Sequence, residues 1–121
     1  PILLVAPLAS LTAPIDARAV RVTTTPGASI GAYLAWNGSR LGLAWCDNTP
    51  GQHEIYFEPF DQNGRPLAPA RRLTDTSPDS LIPSIRSAGR GFALAWNEFT
   101  PGPGGGHDVR GRSEIAFSLV R

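Results

Sequence analysis

A sequence block that recurs at a fixed offset restricts a chain to folds built from one repeated supersecondary unit, and this chain carries such a block. Arg21-Val22-Thr23 aligns with Arg72-Leu73-Thr74 at an offset of 51 residues. The same offset carries Ser29 onto Ser80, Gly38 onto Gly89 and Leu43-Ala44-Trp45 onto Leu94-Ala95-Trp96, with no gap from Val20 to Asp47. Further on, Glu54-Ile55-Tyr56-Phe57 is answered by Glu114-Ile115-Ala116-Phe117 at an offset of 60, because the stretch from Phe99 to Arg112 holds nine additional residues, read as a loop insertion. A weaker echo sets Ile2-Leu3-Leu4-Val5-Ala6-Pro7-Leu8 against the span from Glu54 to Phe60.

Each unit reads as four short strands, a to d. Strand a covers Ala32 to Trp36 and Pro83 to Ser87, followed by the turns Asn37-Gly38-Ser39-Arg40 and Ala88-Gly89-Arg90-Gly91, both hairpin signals. Strand b covers Leu41 to Cys46 and Phe92 to Asn97. There the small Gly42, Ala44, Ala93 and Ala95 alternate with Leu43, Trp45, Leu94 and Trp96, so one face packs closely and the other fills space. Strand c is Glu54 to Phe60 and Glu114 to Val120. Strand d ends in the Arg-Val-Thr and Arg-Leu-Thr triplets, and Asp61-Gln62-Asn63-Gly64 turns from c to d.

The predicted fold class is therefore all-β, in four-stranded antiparallel sheets with a period near that of β-propeller blades. The whole chain, 1–121, is expected to be a single segment: 1–23 a partial blade of c and d strands, 24–74 a full repeat, and 75–121 a repeat lacking its last strand. Nine strands result, too few to close a ring. An open stack leaves unpaired backbone groups at both edges, a template for further pairing. Self-association, or docking on the remaining blades of a longer chain, is the expected partnership.

Composition bounds the function classes. With 41% hydrophobic residues in 121, the chain has enough apolar content for one modest core. Net charge is +1 and 17% of residues are charged, which provides no basic field for nucleic acid or an anionic membrane. The 13 Gly and 12 Pro punctuate short apolar runs, as turns between strands require. A single cysteine, Cys46, permits no internal disulfide. The apolar run from Ile2 to Leu8 is far shorter than the ~20 residues of a membrane helix and no basic region precedes it, so neither a membrane span nor a signal peptide is read there. The start at Pro1 and the absence of Met suggest a processed product or an excised segment of a longer precursor.

Leu43-Ala44-Trp45-Cys46-Asp47, Glu54-Ile55-Tyr56-Phe57, Asp61-Gln62-Asn63-Gly64-Arg65-Pro66-Leu67, Arg72-Leu73-Thr74 and Pro83-Ser84-Ile85 together resemble the repeats of bacterial extracellular β-propeller proteins. The resemblance covers nearly the whole chain. Its first copy departs from the pattern, with Ala32-Tyr33-Leu34 in place of Pro-Ser-Ile, and its last copy has an expanded b to c loop. It implies blades and a secreted or cell-surface location. Propellers host lectins, adhesins, hydrolases and plain scaffolds, so it does not choose a function. The Asp-box turn of sialidase-like blades and the Trp-Asp ending of WD40 blades are both missing. By analogy with small fungal and bacterial lectins, three copies of a two-blade chain would make a six-bladed ring.

The candidate chemistry is sparse. Trp45 and Trp96 share a repeat position and read as core between blades. Trp36 stands where the other repeat has Ser87, so it is the aromatic best placed for a ligand or partner. Asp47 and Glu98 follow the b strands, while Glu54 and Glu114 open the c strands across the loop. Such carboxylates can ligate calcium, accept sugar hydroxyls, or pair with Arg and cap turns. Arg110 and Arg112, at the end of the insertion, are contact candidates. His53 and His107 make no zinc motif and read as solvated loop residues. Cys46, with Asn97 as counterpart, reads as core. Pro101-Gly102-Pro103-Gly104-Gly105-Gly106 lacks the Gly-Lys-Ser/Thr ending of a phosphate loop. Asn37-Gly38-Ser39 matches a glycosylation acceptor but is read as a turn. No catalytic residue, no resident metal and no cofactor are expected, calcium excepted. The leading expectation is a non-enzymatic binding or adhesion module, with a glycan as its candidate ligand. The alternatives are a structural fragment of a larger secreted propeller, and the scaffold part of a glycosidase or other hydrolase.

Overall fold

The computed structural model describes residues 18–75, 78–105 and 110–121. The expected first c strand, Ile2 to Leu8, and His107 lie outside the described residues. Among the described residues seven strands run in chain order: β1 (Ser29–Trp36), β2 (Leu41–Asp47), β3 (Glu54–Phe60), β4 (Arg71–Arg72), β5 (Asp79–Ala88), β6 (Gly91–Thr100) and β7 (Arg112–Val120). They form two antiparallel meanders, β1-β2-β3-β4 and β5-β6-β7, with no helix among the described residues. The chain is all-β, and these two sheets close no ring.

The turns form where the sequence places them. Asn37 N–H donates to the Arg40 carbonyl at 3.2 Å, with Gly38 at φ 99°. The Asn37 amide is committed to the turn and to the other sheet: its Oδ1 accepts from the N–H groups of Ser39 and Arg40, and its Nδ2 donates to the Arg90 carbonyl at 2.9 Å. The c to d turn closes through Gly64 N–H on Asp61 O at 3.0 Å.

Three strand expectations are corrected. Strand d of the full repeat shrinks to Arg71–Arg72, paired with Phe57 and Tyr56. The segment from Val20 to Thr23, expected as the earlier strand d, is in no sheet. A strand needs a ladder partner, and the one expected for it lies outside the described residues. Part of the insertion is strand rather than loop: Phe99 pairs with Ser113 and Thr100 with Arg112, so the extra length extends the β6–β7 hairpin before the chain turns.

The two sheets stack through unlike faces. Opposed residues of an antiparallel pair share a face, so Gly42, Ala44 and Cys46 of β2 share one with Pro59, Phe57 and Ile55 of β3. This small-residue face meets the bulky face of the second sheet, formed by Phe92, Leu94 and Trp96 of β6 with Ile85 of β5 and Val120 of β7. These residues make the core. The same positions therefore meet opposite fates. Ile55 and Phe57 are 0% and 1% exposed, whereas their repeat equivalents Ile115 and Phe117 are 73% and 64% exposed on the outer face of the second sheet. On the bulky faces Ile85 is buried, and its equivalent Leu34 is 59% exposed on the outer face of the first sheet.

Trp96 packs in this core as expected. Trp45 is buried as well, at 5% exposure, but on the face of the first sheet turned away from the second, stacked on Tyr56 with ring centroids 5.8 Å apart and planes at 16°.

Candidate functional site

Both repeats place two carboxylates directly opposite each other at the same register: Asp47 against Glu54 in the first sheet and Glu98 against Glu114 in the second. In the first sheet they are sealed. Asp47 accepts from Thr25 Oγ1 and Ser29 Oγ, each at 2.6 Å, and from Thr49 N–H at 2.7 Å. Burial alone would raise its pKa, but the hydrogen bonds from Ser29, Thr25 and Thr49 overcome it and hold the carboxyl well below the usual carboxylate range. Glu54 is fully buried and accepts from Gln52 Nε2 at 2.8 Å, from Arg72 Nη2 at 3.0 Å and from the Thr74 hydroxyl. Thr74 Oγ1 also accepts the Ile55 N–H at 2.9 Å, so the d strand latches on β3 through side chains as well as backbone.

In the second sheet the corresponding pair is open. Trp96 Nε1 donates to Glu98 Oε1 at 2.9 Å, and Arg112 Nη2 pairs with Glu114 Oε1 at 2.7 Å in a largely exposed contact. A cavity of about 380 Å³ lies here, lined by Pro78, Glu98, Thr100, Arg112, Glu114 and Ala116 among others. Three of the seven residues singled out in the sequence, Glu98, Arg112 and Glu114, thus meet in one place. Arg110 lies in the loop between β6 and β7, just before β7, and is exposed. Asp47 and Glu54 serve the first sheet internally. Trp36 is half exposed opposite Leu41, at the other end of the strands from Asp47.

Among the described residues no group of three or more His, Cys, Asp and Glu side chains is placed to hold a metal ion. His53 is not the solvated loop residue expected. It is half buried and ties the sheets together, its N–H donating to Asp79 Oδ1 at 2.8 Å and its carbonyl accepting Ser80 N–H at 2.8 Å. Cys46 donates to the Ile30 carbonyl at 3.4 Å, and burial pushes its thiol pKa up, the reverse of what a nucleophile needs.

Sequence reading missed one residue of interest. Both first strands carry a register shift, between Ile30 and Tyr33 and between Leu81 and Ser84. The first places Gly31 at φ 63° and the second places Ile82 at φ 54°. A β-branched residue there is a backbone outlier. The signal was present in the offset of 51, which sets Ile82 where the first repeat has glycine. Ile82 projects between two apolar cavities of about 400 and 360 Å³.

No protein-family model, curated protein or solved structure matches this chain. Among the described residues no helix is long and apolar enough to cross a membrane.

Proposed function

We propose that the chain is a non-enzymatic binding module of the β-propeller type, its two sheets being successive blades of a ring that further blades complete. One observation carries this reading. Ile55 and Phe57 are buried beneath the neighbouring sheet, while Ile115 and Phe117 at the same repeat positions lie open. A self-contained two-sheet sandwich turns apolar faces inward and polar faces outward. Here both outer faces are apolar, with Leu34 and Trp36 on one side and Ile115, Phe117 and Leu119 on the other. Apolar patches of this kind mark contact surfaces. Unlike-face stacking is heterologous, and repetition of it yields a ring where the rotation closes.

The reading is non-enzymatic because Asp47, Glu54 and Glu98 are held by structural partners and the one thiol is buried. The resemblance to bacterial extracellular propellers adds a secreted or surface location and a glycan as the ligand class to test first. The edge of β7, unpaired among the described residues, favours a second reading, a blade segment within a larger propeller protein.

Light scattering on the purified chain, followed by a glycan array probed with and without calcium, tests the proposal. The expected result is a discrete assembly that binds a subset of glycans. A discrete assembly that binds none removes the sugar and leaves the scaffold. A stable monomer whose Ile115 and Phe117 amides exchange as slowly as those of Ile55 and Phe57 would sink the blade reading, since its outer faces would need no neighbour.

A further inference from the structure

We propose that the second sheet is completed by Arg21-Val22-Thr23 of a second copy of this chain, which docks as its fourth strand beside β7. The template is internal. In the first sheet Arg72-Leu73-Thr74 lies along β3, with Leu73 N–H on the Ile55 carbonyl at 2.7 Å and with Arg72 and Thr74 both on Glu54. The repeat reproduces the acceptor side of that arrangement in β7: Glu114, Ile115 and Phe117 stand where Glu54, Ile55 and Phe57 stand, while Ala116 replaces Tyr56 and Arg112, already paired with Glu114, replaces Gln52. No strand flanks β7 on its outer side among the described residues. Glu114 is accordingly 69% exposed, where Glu54 is fully buried. A 380 Å³ cavity lies at Glu98, Glu114 and Ala116, the repeat equivalents of Asp47, Glu54 and Tyr56.

The complementary strand is also in the chain. Arg21-Val22-Thr23 is the offset-51 equivalent of Arg72-Leu73-Thr74, lies in no sheet, and has Arg21 and Val22 exposed. It is directed away from its own β7. Thr25 is bonded to Asp47, Ala28 N–H to Asn48 Oδ1 at 2.7 Å, and Val22 and Thr23 border a cavity of about 260 Å³ with Leu43 and Trp45 on the outward face of the first sheet. The second sheet packs on the opposite face. The partner must therefore be another copy.

Face chemistry agrees, on a point that rests on the blade reading above. The operation that carries the first sheet onto the second would lay one copy's open face of Ile115, Phe117 and Leu119 on the next copy's bulky face of Leu34, Leu43 and Trp45. That same operation brings the next copy's Arg21 and Thr23 to Glu114. One contact thus satisfies an open edge and covers the exposed Ile115, Phe117 and Leu119 of one copy and the exposed Leu34 of the next.

The test uses the full chain with Arg21→Glu, Glu114→Arg and the double variant, with mass followed by sedimentation. Both side chains are exposed, so neither change touches the core. The wild type should assemble, each single variant should weaken assembly by about tenfold or more, and the double variant should recover it. A wild type that is monomeric overturns the exchange while leaving the blade reading for a longer chain. An assembly indifferent to either single change, or one that the double variant fails to recover, overturns the pairing but not the stacking. A second measurement mixes Val22→Cys chains with Ile115→Cys chains under mild oxidation. A mixed disulfide between the two is expected, and only homodimers or monomers would refute the register.

Discussion

Gly42 lies flat against the ring of Phe92: a Cβ at Gly42 would come within 2.9 Å of two Phe92 ring atoms and of Phe57 Cε2. The two sheets approach this closely because one offers glycine and alanine where the other offers a ring. Phe57 and Phe92 meet at 5.6 Å between centroids, and Arg40 lies 5.9 Å over Phe92. Gly42→Ala should therefore destabilise the chain by about 1–3 kcal/mol through overpacking. Urea unfolding measures it. A neutral result would mean that the sheets do not stack here.

Asp47 sets a pH dependence. Its carboxyl, ordinarily titrating near 3.8, is held well below that by Ser29, Thr25 and Thr49 against the opposing effect of burial. A group with a depressed native pKa contributes stability that is fully present above its unfolded value and is lost as pH falls toward the native one. The stability gap between wild type and Asp47→Asn should be constant near neutrality and shrink below about pH 4. Parallel profiles for the two proteins across that range would contradict the assignment.

Ile82 sits in the left-handed region at φ 54° and is 64% exposed, so the side chain contributes little burial against the strain of its backbone. The left-handed conformation costs an L-residue about 1–2 kcal/mol, and glycine loses about 0.5–1 kcal/mol in chain entropy. Ile82→Gly is expected to stabilise the isolated chain by roughly 0.5–1 kcal/mol. Thermal unfolding checks the sign. A loss of stability would place Ile82 in packing that outweighs the strain.

Cys46 is 1% exposed and its thiol is shifted upward chiefly by burial. A thiol reagent should leave the native chain unmodified and react stoichiometrically in denaturant, at a rate limited by unfolding. Fast modification of the folded chain would show that the sheets open at β2.

Much of the fold can be read from local pattern. The alternation of small and bulky residues from Leu41 to Cys46 and from Phe92 to Asn97 set the b strands within a few residues, and Asn37-Gly38 and Ala88-Gly89 marked the turns. The pairing of Asp47 with Glu54 and of Glu98 with Glu114 followed from hairpin register. These depend on the two-residue period of a strand and on glycine at positive φ, both local properties.

What the sequence by itself determined, then, was the repeat, the strand type and the identity of the two faces of each sheet. The tertiary structure alone decided which copy of each face is covered. Ile55 and Ile115 share residue type and strand position, yet one is buried and the other open, because burial is set by the neighbouring sheet and not by the strand that carries the residue. The same reason separates Glu54, closed over by Arg72 and Thr74, from Glu114, which has the matching strand position with no matching strand among the described residues.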